Sequence, residues 1–182
     1  MKNVFLAGTS IYLRPIERAD APLFVRWVND ADVTRTLLLY RPMTQETEEE
    51  YLMNIAKSDR DVVLGIAARE SDELVGITGL HQIELKDRHA TFGIVIGEKS
   101  EWGKGYCTEA TGLMLGYAFD TLNLHRVALH VAEHNVAGIR SYLKVGFRQE
   151  GVLREAMFRE GRYHNLLAMA ILRDEWRARQ PR

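Results

Sequence analysis

The chain has 182 residues, of which 46% are hydrophobic and 27% charged. This composition is typical of one globular domain over residues 1–182, large enough to bury a core without disulfides. Its 24 Lys and Arg against 25 Asp and Glu give a formal charge of −1, which argues against general nucleic-acid binding. The single cysteine, Cys107, predicts a reducing compartment, the cytoplasm by default. No window approaches the roughly 20 apolar residues that a membrane span requires.

The first third of the chain predicts one strand and two helices. Residues 10–14 alternate in the manner of a short strand. Asp20 is placed to cap the first helix, and Thr44 is placed to cap the second. The glutamates at 46–50 suit the positive end of the second helix dipole. Residues 29–43 between the helices are irregular, and a short helix within them is left open.

Three strand-like segments come next, and short polar connections join them. Such connections favour an antiparallel meander. The third segment leads directly into a loop with two glycines. The segments are residues 62–68, 74–85 and 90–96.

The loop after the third strand has the features of an anion-binding site. Gly103 and Gly105 allow backbone conformations that a Cβ would obstruct, so successive amide N–H groups can turn toward one point. A helix that begins near Thr108 directs its unpaired N–H groups and its positive dipole end to the same place. The pattern therefore predicts a site for a pyrophosphate.

The second half of the chain continues the alternation of helices and strands. Residues 108–122 have helical apolar spacing and residues 126–131 read as a strand, which together predict a βαβ unit with parallel neighbouring strands. Asn135 begins another helix, which Gly146 ends. A closing pair of strands is predicted to form a hairpin near residues 160–161. These strands are the segment from residue 147 onward and residues 165–172.

One face of the helix after Asn135 carries Asn135, Gly138 and Tyr142 at spacings i, i+3 and i+7. Asn135 is suited to hydrogen-bond an amide-rich cofactor arm, Gly138 to let it approach, and Tyr142 to present a hydroxyl deeper in. Taken alone, Asn135 is equally explained as an N-cap and Tyr142 as a half-buried core aromatic. Together with the glycine loop, the three residues predict a long cofactor that runs from phosphate to reactive end.

These residues resemble the GNAT superfamily of N-acetyltransferases. Residues 102–110 are similar to its acetyl-CoA pyrophosphate loop, and residues 135–147 are similar to its helix with Asn, Tyr and Gly-Phe. The two blocks have the family's order and separation, and the resemblance covers nearly the whole chain from Ile11. It is strongest for the ribosomal-protein N-terminal acetyltransferase-like branch. Residues 123–131 and Tyr142 are also similar to spermidine N-acetyltransferases.

The resemblance implies an α/β (α+β) GNAT fold, with a mixed central sheet of about seven strands, splayed at the cofactor site, and about four helices. Acetyl-CoA would lie between residues 90–96 and residues 126–131. The main chain of residues 94–96 would pair with its pantetheine arm, backbone amides of the glycine loop would bind its pyrophosphate, and Tyr142 would stand near its sulfur. The implied cofactor-binding residues are Ile94, Val95, Ile96, Gly103, Lys104, Gly105, Tyr106, Cys107, Thr108, Asn135 and Tyr142.

Two loop residues depart from the superfamily's usual pattern. Trp102 stands where Gln or Arg is common, and Cys107 stands where Gly or Ala is usual. Neither change removes a backbone N–H, so phosphate binding is expected to persist. Cys107 also raises a rival route through an acetylated cysteine, since thiols near helix N-termini can have lowered pKa values. Bound phosphates would oppose that shift, and the pattern places no base beside the thiol.

The implied chemistry is direct attack of an amine on the acetyl thioester, without an acyl-enzyme. The candidates for general base are Glu84 and His81 on the middle strand. Glu98 and His164 are further candidates. Tyr142 would protonate the thiolate leaving group, and a nearby strand amide would stabilise the developing oxyanion. Tyr142 and Glu84 are therefore the predicted catalytic residues, and no metal site is predicted.

The acceptor is left open by these residues. The resemblance favours the α-amino group of a protein N-terminus, and the alternatives are a spermidine-type polyamine or another small amine. A polyamine site needs several carboxylates, to which Glu84 and the glutamates at 46–50 would contribute. The non-enzymatic alternative is a CoA-binding regulatory module. Members of this branch are often dimeric or larger, which leaves a homo-oligomer open, whereas neither nucleic acid nor a membrane is an expected partner.

Overall fold

Eight strands and six α-helices make up the structure, a computed structural model that describes residues 3–180. None of these helices is long and apolar enough to cross a membrane. The strands are β1 (Leu6–Ala7), β2 (Ile11–Pro15), β3 (Val62–Ala68), β4 (Leu74–Glu84), β5 (His89–Ile96), β6 (Arg126–Ala132), β7 (Arg148–Arg159) and β8 (Arg162–Leu172). The helices are α1 (Ala21–Val28), α2 (Ala31–Thr34), α3 (Gln45–Ala56), α4 (Tyr106–Gly116), α5 (Val136–Val145) and α6 (Arg173–Arg177).

The strands form one mixed sheet in the order β1-β2-β3-β4-β5-β6-β8-β7. Only β5 and β6 run parallel among the pairs of the described chain, and α4 is the crossover between them. The predicted meander, βαβ unit and closing hairpin are therefore confirmed, as is the mixed α/β fold. The additional strand is β1, with two residues, and the additional helices are α2 and α6, with four and five residues.

The parallel pair β5–β6 separates soon after it forms. His89, Ala90 and Thr91 pair with β6, but from Phe92 onward the edge of β5 facing β6 has no strand partner in the described chain. β6 meanwhile remains paired with β8 as far as Ala132. The sheet is therefore splayed where the resemblance implied a cofactor site.

Different helices cover the two faces of the sheet, because side chains alternate along each strand. Leu80 and Phe92 lie in the main core with the apolar residues of α4 and α5. The opposite face carries a second cluster, in which Phe24 of α1 and Leu52 of α3 pack with the partly buried Ile77. Alternate β4 residues from Ile77 onward therefore face the side of α1 and α3.

The helix ends agree with the sequence in all but one detail. The Thr44 hydroxyl accepts a hydrogen bond from Thr47 N at 3.2 Å, and Gly146 ends α5 with φ +118°. Asp20 precedes α1 as predicted, but its carboxylate binds the buried Arg14 guanidinium at 2.7 and 2.8 Å instead of capping the helix. This hydrogen-bonded pairing raises the pKa of Arg14, and it ties β2 to the start of α1.

Candidate active site

The glycine loop between β5 and α4 has the backbone conformation that its sequence predicted. Gly103 has φ +80° and Gly105 has φ +86°, and a Cβ built on either would meet nothing within 4 Å. The positive φ angle, which L side chains rarely adopt, is therefore what favours glycine at these positions. The space in front of the loop is open to a ligand.

The backbone amides of residues 103–108 form a group of donors. None of them donates a hydrogen bond within residues 3–180, and the first amide of α4 to do so is Glu109 N, which binds Gly105 O at 3.1 Å. Unpaired amides at a helix N-terminus bind anions, assisted by the helix dipole. The Lys104 ammonium is paired with Glu101 at 2.8 Å, which raises its pKa. The loop thus fits a pyrophosphate, with most of its donors supplied by the backbone.

Two side chains secure this loop and were not identified from the sequence. The indole Nε1 of Trp102 donates to Ile96 O at 2.8 Å, which ties the loop to the end of β5. The Glu109 carboxylate accepts hydrogen bonds from the backbone amides of Thr9 and Ser10, the latter at 2.9 Å. The residue that departs from the usual pattern at 102 therefore acts as a structural anchor.

The open edge of β5 lies between the loop and the cavity described below. Ile94 and Val95 are register partners of Thr78 and Ile77 on β4, and their other edge faces the gap left by β6. An exposed strand edge offers N–H and C=O groups to any extended amide-bearing ligand. Ile94 to Ile96 are thus positioned to pair with an arm such as pantetheine.

Asn135 caps α5 and also lies in the lining of the cavity described below. Its Oδ1 accepts a hydrogen bond from Gly138 N at 2.9 Å, which caps α5, and the residue also lines the cavity. A Cβ built at Gly138 would lie 2.8 Å from Asn135 Nδ2. The lack of a side chain at Gly138 therefore makes room for the capping Asn135 side chain as well as for a ligand.

Tyr142 lies on α5 at the inner end of the splayed gap. It is 8% exposed, and its ring makes edge contact with Phe92 at 6.3 Å between centroids. Burial raises the pKa of its phenol well above the ordinary value, and the nearby Cys107 adds to this effect. Burial likewise raises the pKa of the Cys107 thiol, the opposite of the shift that a cysteine nucleophile requires.

A cavity of about 490 Å³ connects Tyr142 and Asn135 with the α1–α3 side of the sheet. Its walls are largely apolar. Glu48 is the one carboxylate among the described residues that line it; it is 4% exposed, and burial raises its pKa. Tyr51, His81 and His130 supply further polar groups. The apolar wall includes Phe24, Trp27, Leu37, Leu39, Met43 and Ile77.

Of the four predicted general-base candidates, His81 alone is among the residues that line this cavity. Glu84 lies at the end of β4, where its carboxylate accepts a hydrogen bond from Lys86 N at 3.0 Å. Glu98 pairs with Arg26 at 2.6 Å, and His164 is buried against His134, 4.5 Å between ring centroids. The structure therefore brings His81 and Tyr142 to one cavity and leaves Glu84 outside it.

The sequence did not identify Asp61, which precedes β3 and lies 3.0 Å from His81 Nδ1. The sequence named the glutamates at 46–50 only as a group, as contributors to a polyamine site, because the run also fits an ordinary helix start. The structure places Glu48 of this group in the cavity lining. The other carboxylates of that run are directed elsewhere: Glu49 binds Arg18, and Glu46 and Glu50 are exposed. The described residues contain no group of three or more His, Cys, Asp or Glu able to hold a metal ion.

Comparison with known proteins identifies the family. The profile of the acetyltransferase (GNAT) domain matches residues 10–148. The chain belongs to the GNAT acetyltransferase family. This acetyltransferase is 33% identical over 176 residues to the spermidine N(1)-acetyltransferase of Escherichia coli (strain K12), covering 93% of this chain and 89% of the relative. The provisionally named ribosomal N-acetyltransferase YdaF of Bacillus subtilis is 34% identical over 103 residues, which are 57% of this chain and 56% of that one.

Comparison with solved structures supports the same family. The crystal structure of spermidine N-acetyltransferase from Vibrio cholerae in complex with CoA and spermine has a TM-score of 0.86 and 28% identity, and the match covers 93% of this chain and 99% of that chain. The present acetyltransferase is thus an enzyme of the GNAT fold whose acetyl donor is acetyl-CoA.

Proposed function

We propose that this acetyltransferase transfers the acetyl group directly to the α-amino group of a protein N-terminus. The observation that supports this acceptor best is the cavity, whose walls are apolar and whose lining holds one carboxylate, Glu48, within the described chain. Such a site suits an acceptor with one amine and an apolar adjoining body. The neutral amine, which is the nucleophile, is favoured in an apolar site.

In this proposal, the glycine loop, the open edge of β5 and Asn135 bind the acetyl donor. The amides of residues 103–108 bind the pyrophosphate, the open edge of β5 pairs with the pantetheine arm, and Asn135 holds that arm. Bound acetyl-CoA supplies the activated acetyl thioester. The Tyr142 hydroxyl, kept protonated by its burial, donates a hydrogen bond to the sulfur as it leaves.

The difference between acceptor classes is one of charge. An α-amino group has a pKa of roughly 7.7–8.0 and is partly neutral at pH 7, whereas alkyl amines near 10.4 are almost wholly protonated. Each further charge of a polyamine that entered the cavity unpaired would cost several kcal/mol, about the penalty for an unpaired buried ion. Glu48 can compensate one such charge.

A polyamine is the second candidate, because relatives over more than nine-tenths of this chain are named spermidine N-acetyltransferases. For the present enzyme, this candidate requires the second and third ammonium groups to remain outside the cavity. The exposed Glu46 and Glu50 of α3 are the carboxylates available to them there.

Steady-state thiol release from acetyl-CoA tests the proposal. The acceptors are a short peptide with a free α-amino group and an apolar first residue, the same peptide blocked at the α-amino group and carrying one lysine, and spermidine. The free peptide is expected to have the highest kcat/KM. A higher kcat/KM for spermidine would establish the second candidate instead, and binding of CoA without turnover on any amine would indicate a regulatory module.

A further inference from the structure

The His81 imidazole fills the space over two facing glycines, one on β4 and one on the donor strand β5. Gly79 of β4 and Gly93 of β5 are register partners, and the next pair along is His81 with Thr91. A Cβ built at Gly79 would lie 2.9 Å from His81 Nε2, and one built at Gly93 would lie 3.6 Å from it. The imidazole therefore lies over the two glycines, with Nε2 close to the strand that borders the splayed gap.

Asp61 holds the other side of this ring. Its Oδ1 is 3.0 Å from His81 Nδ1 and also accepts a hydrogen bond from Gln82 N at 3.4 Å, while its Oδ2 accepts one from Ser58 Oγ at 2.6 Å. Burial raises the pKa of this carboxyl, but the hydrogen bonds from Ser58 and His81 outweigh it and leave the pKa below its ordinary value. An ionised partner at Nδ1 keeps the ring proton on that nitrogen and leaves the Nε2 lone pair available.

We propose that His81 is the general base of acetyl transfer and that Asp61 is the residue that positions it. The inference rests on the proposed direct attack by an amine, for any amine acceptor. The amine nitrogen bonds to the acetyl carbon, the carbon–sulfur bond breaks with its electron pair going to sulfur, and His81 Nε2 accepts the proton that the amine loses. The Tyr142 hydroxyl gives its proton to the leaving sulfur and regains one from solvent, and His81 releases the proton it accepted to solvent. The net transfer is one proton from nitrogen to sulfur.

The other titratable groups of the cavity have different positions. Glu48 and Tyr51 lie on α3, His130 on β6 and Tyr142 on α5. Burial raises the pKa of Tyr51, and the charges of Glu48 and Asp61 raise it further, so these carboxylates flank Tyr51. His81 lies on β4, which stays paired with the donor strand β5 along the cavity, whereas the exposed His130 lies on β6 beyond the point where β6 separates from β5. Glu48 is thus assigned to acceptor binding and His81 to proton removal.

The test uses His81→Gln and Asp61→Asn, with His89→Gln and Asp59→Asn as exposed matched controls. Acetylation of whichever amine the wild type accepts is measured from pH 6 to pH 9. His81→Gln is expected to lower kcat by about 100-fold and to change the pH dependence of kcat, in which the titration of the acceptor amine remains, with the acetyl-CoA KM unchanged. Asp61→Asn is expected to lower kcat about tenfold, Asp61→Glu to restore part of it, and both controls to keep the wild-type profile.

A second readout does not depend on turnover. Nitrogen-15 NMR of histidine-labelled protein without acetyl-CoA reports which ring nitrogen carries the proton, and the His81→Gln spectrum assigns the signal. The wild type is expected to carry it on Nδ1, and Asp61→Asn is expected to shift the population toward Nε2. Wild-type kcat and pH profile in a folded His81→Gln protein, or a proton on Nε2 in the wild type, would overturn the base assignment while the proposed acceptor class stood unaffected.

Discussion

The donor side and the acceptor side of this enzyme recognise their ligands in different ways. The donor side is nearly continuous in sequence, from Ile94 to Thr108, and presents backbone amides and an open strand edge. The cavity is lined by residues of α1, the loop after α2, α3, β3, β4, β5, β6 and α5, spread from Phe24 to Tyr142, and it shares Ile94 and Val95 with the donor side. Recognition by backbone groups tolerates changes of side chain, whereas recognition by a cavity depends on the side chains that line it.

This contrast explains why the family is easier to identify than the acceptor. A relative named for spermidine matches 93% of this chain at 33% identity, and one named for a ribosomal acceptor matches 57% of it at 34%. The glycine loop requires only a few residues with positive φ angles and the start of a helix. Different family members can share these features. In the function proposed above, acceptor choice depends on wall residues such as Glu48 and Leu37, which can differ without disturbing the glycine loop.

Tyr142→Phe gives the largest effect expected to separate chemistry from donor binding. Loss of the hydroxyl removes the hydrogen bond to the leaving sulfur, and kcat is expected to fall about 100-fold, while the Kd for CoA measured by calorimetry stays at the wild-type value. Tyr117→Phe, on the helical turn after α4, is the matched control and keeps both constants. An unchanged kcat in Tyr142→Phe would remove this residue from the chemistry.

Gly105→Ala tests the backbone character of the donor side. Gly105 has φ +86°, and a Cβ at such an angle costs about 1–2 kcal/mol, so the KM for acetyl-CoA is expected to rise about tenfold while the acceptor KM is unchanged. Gly116→Ala is the control, because Gly116 ends α4 with helical angles and open space around it. Equal acetyl-CoA KM values for the two variants would contradict the role of the loop conformation.

Glu48→Gln tests whether side chains of the cavity recognise the acceptor, and it has the smallest expected effect on the kinetic constants. Loss of a charge partner worth about 1 kcal/mol is expected to raise the acceptor KM about fivefold, with the acetyl-CoA KM unchanged. Glu50→Gln, exposed on the same helix, is the control with the peptide acceptor. A parallel rise in the acetyl-CoA KM would show that the two sides are not independent.

Glu48→Gln is also expected to change the thermal stability of the protein. Burial raises the folded-state pKa of Glu48, so ionising this carboxyl costs the folded state more than the unfolded chain. That penalty is absent well below the unfolded pKa of about 4.3 and complete above the folded pKa. Glu48→Gln is therefore expected to raise the Tm at pH 7.5 more than at pH 4. A larger gain at pH 4 would contradict the shift.

Local patterns predicted most of the fold and the backbone conformation of the glycine loop. Gly103 and Gly105 indicated positive φ angles, Thr44 and Gly146 marked helix ends, and both blocks of the GNAT resemblance fell on the elements expected for them. The errors were in side-chain partners. Asp20 binds Arg14 rather than capping α1, since a buried guanidinium is the stronger partner for a carboxylate.

The acceptor side could not be predicted to the same depth. Glu84 was preferred over His81 as the base on this strand, but register places His81 beside Thr91 over the Gly79–Gly93 pair and puts Glu84 at the hairpin turn. The sequence pattern did not indicate that Asp61 contacts His81, because 20 residues separate the two along the chain. Which groups share a cavity depends on contacts between distant segments.

The sequence by itself determined the family, the conformation of the glycine loop and the candidate residues, because glycine conformation, capping and hydrophobic period act over a few neighbouring residues. Tertiary structure decided which carboxylate and which imidazole face the cavity. Strand register and the packing of α1 and α3 on the sheet set those positions, and both are settled only when the whole chain has folded.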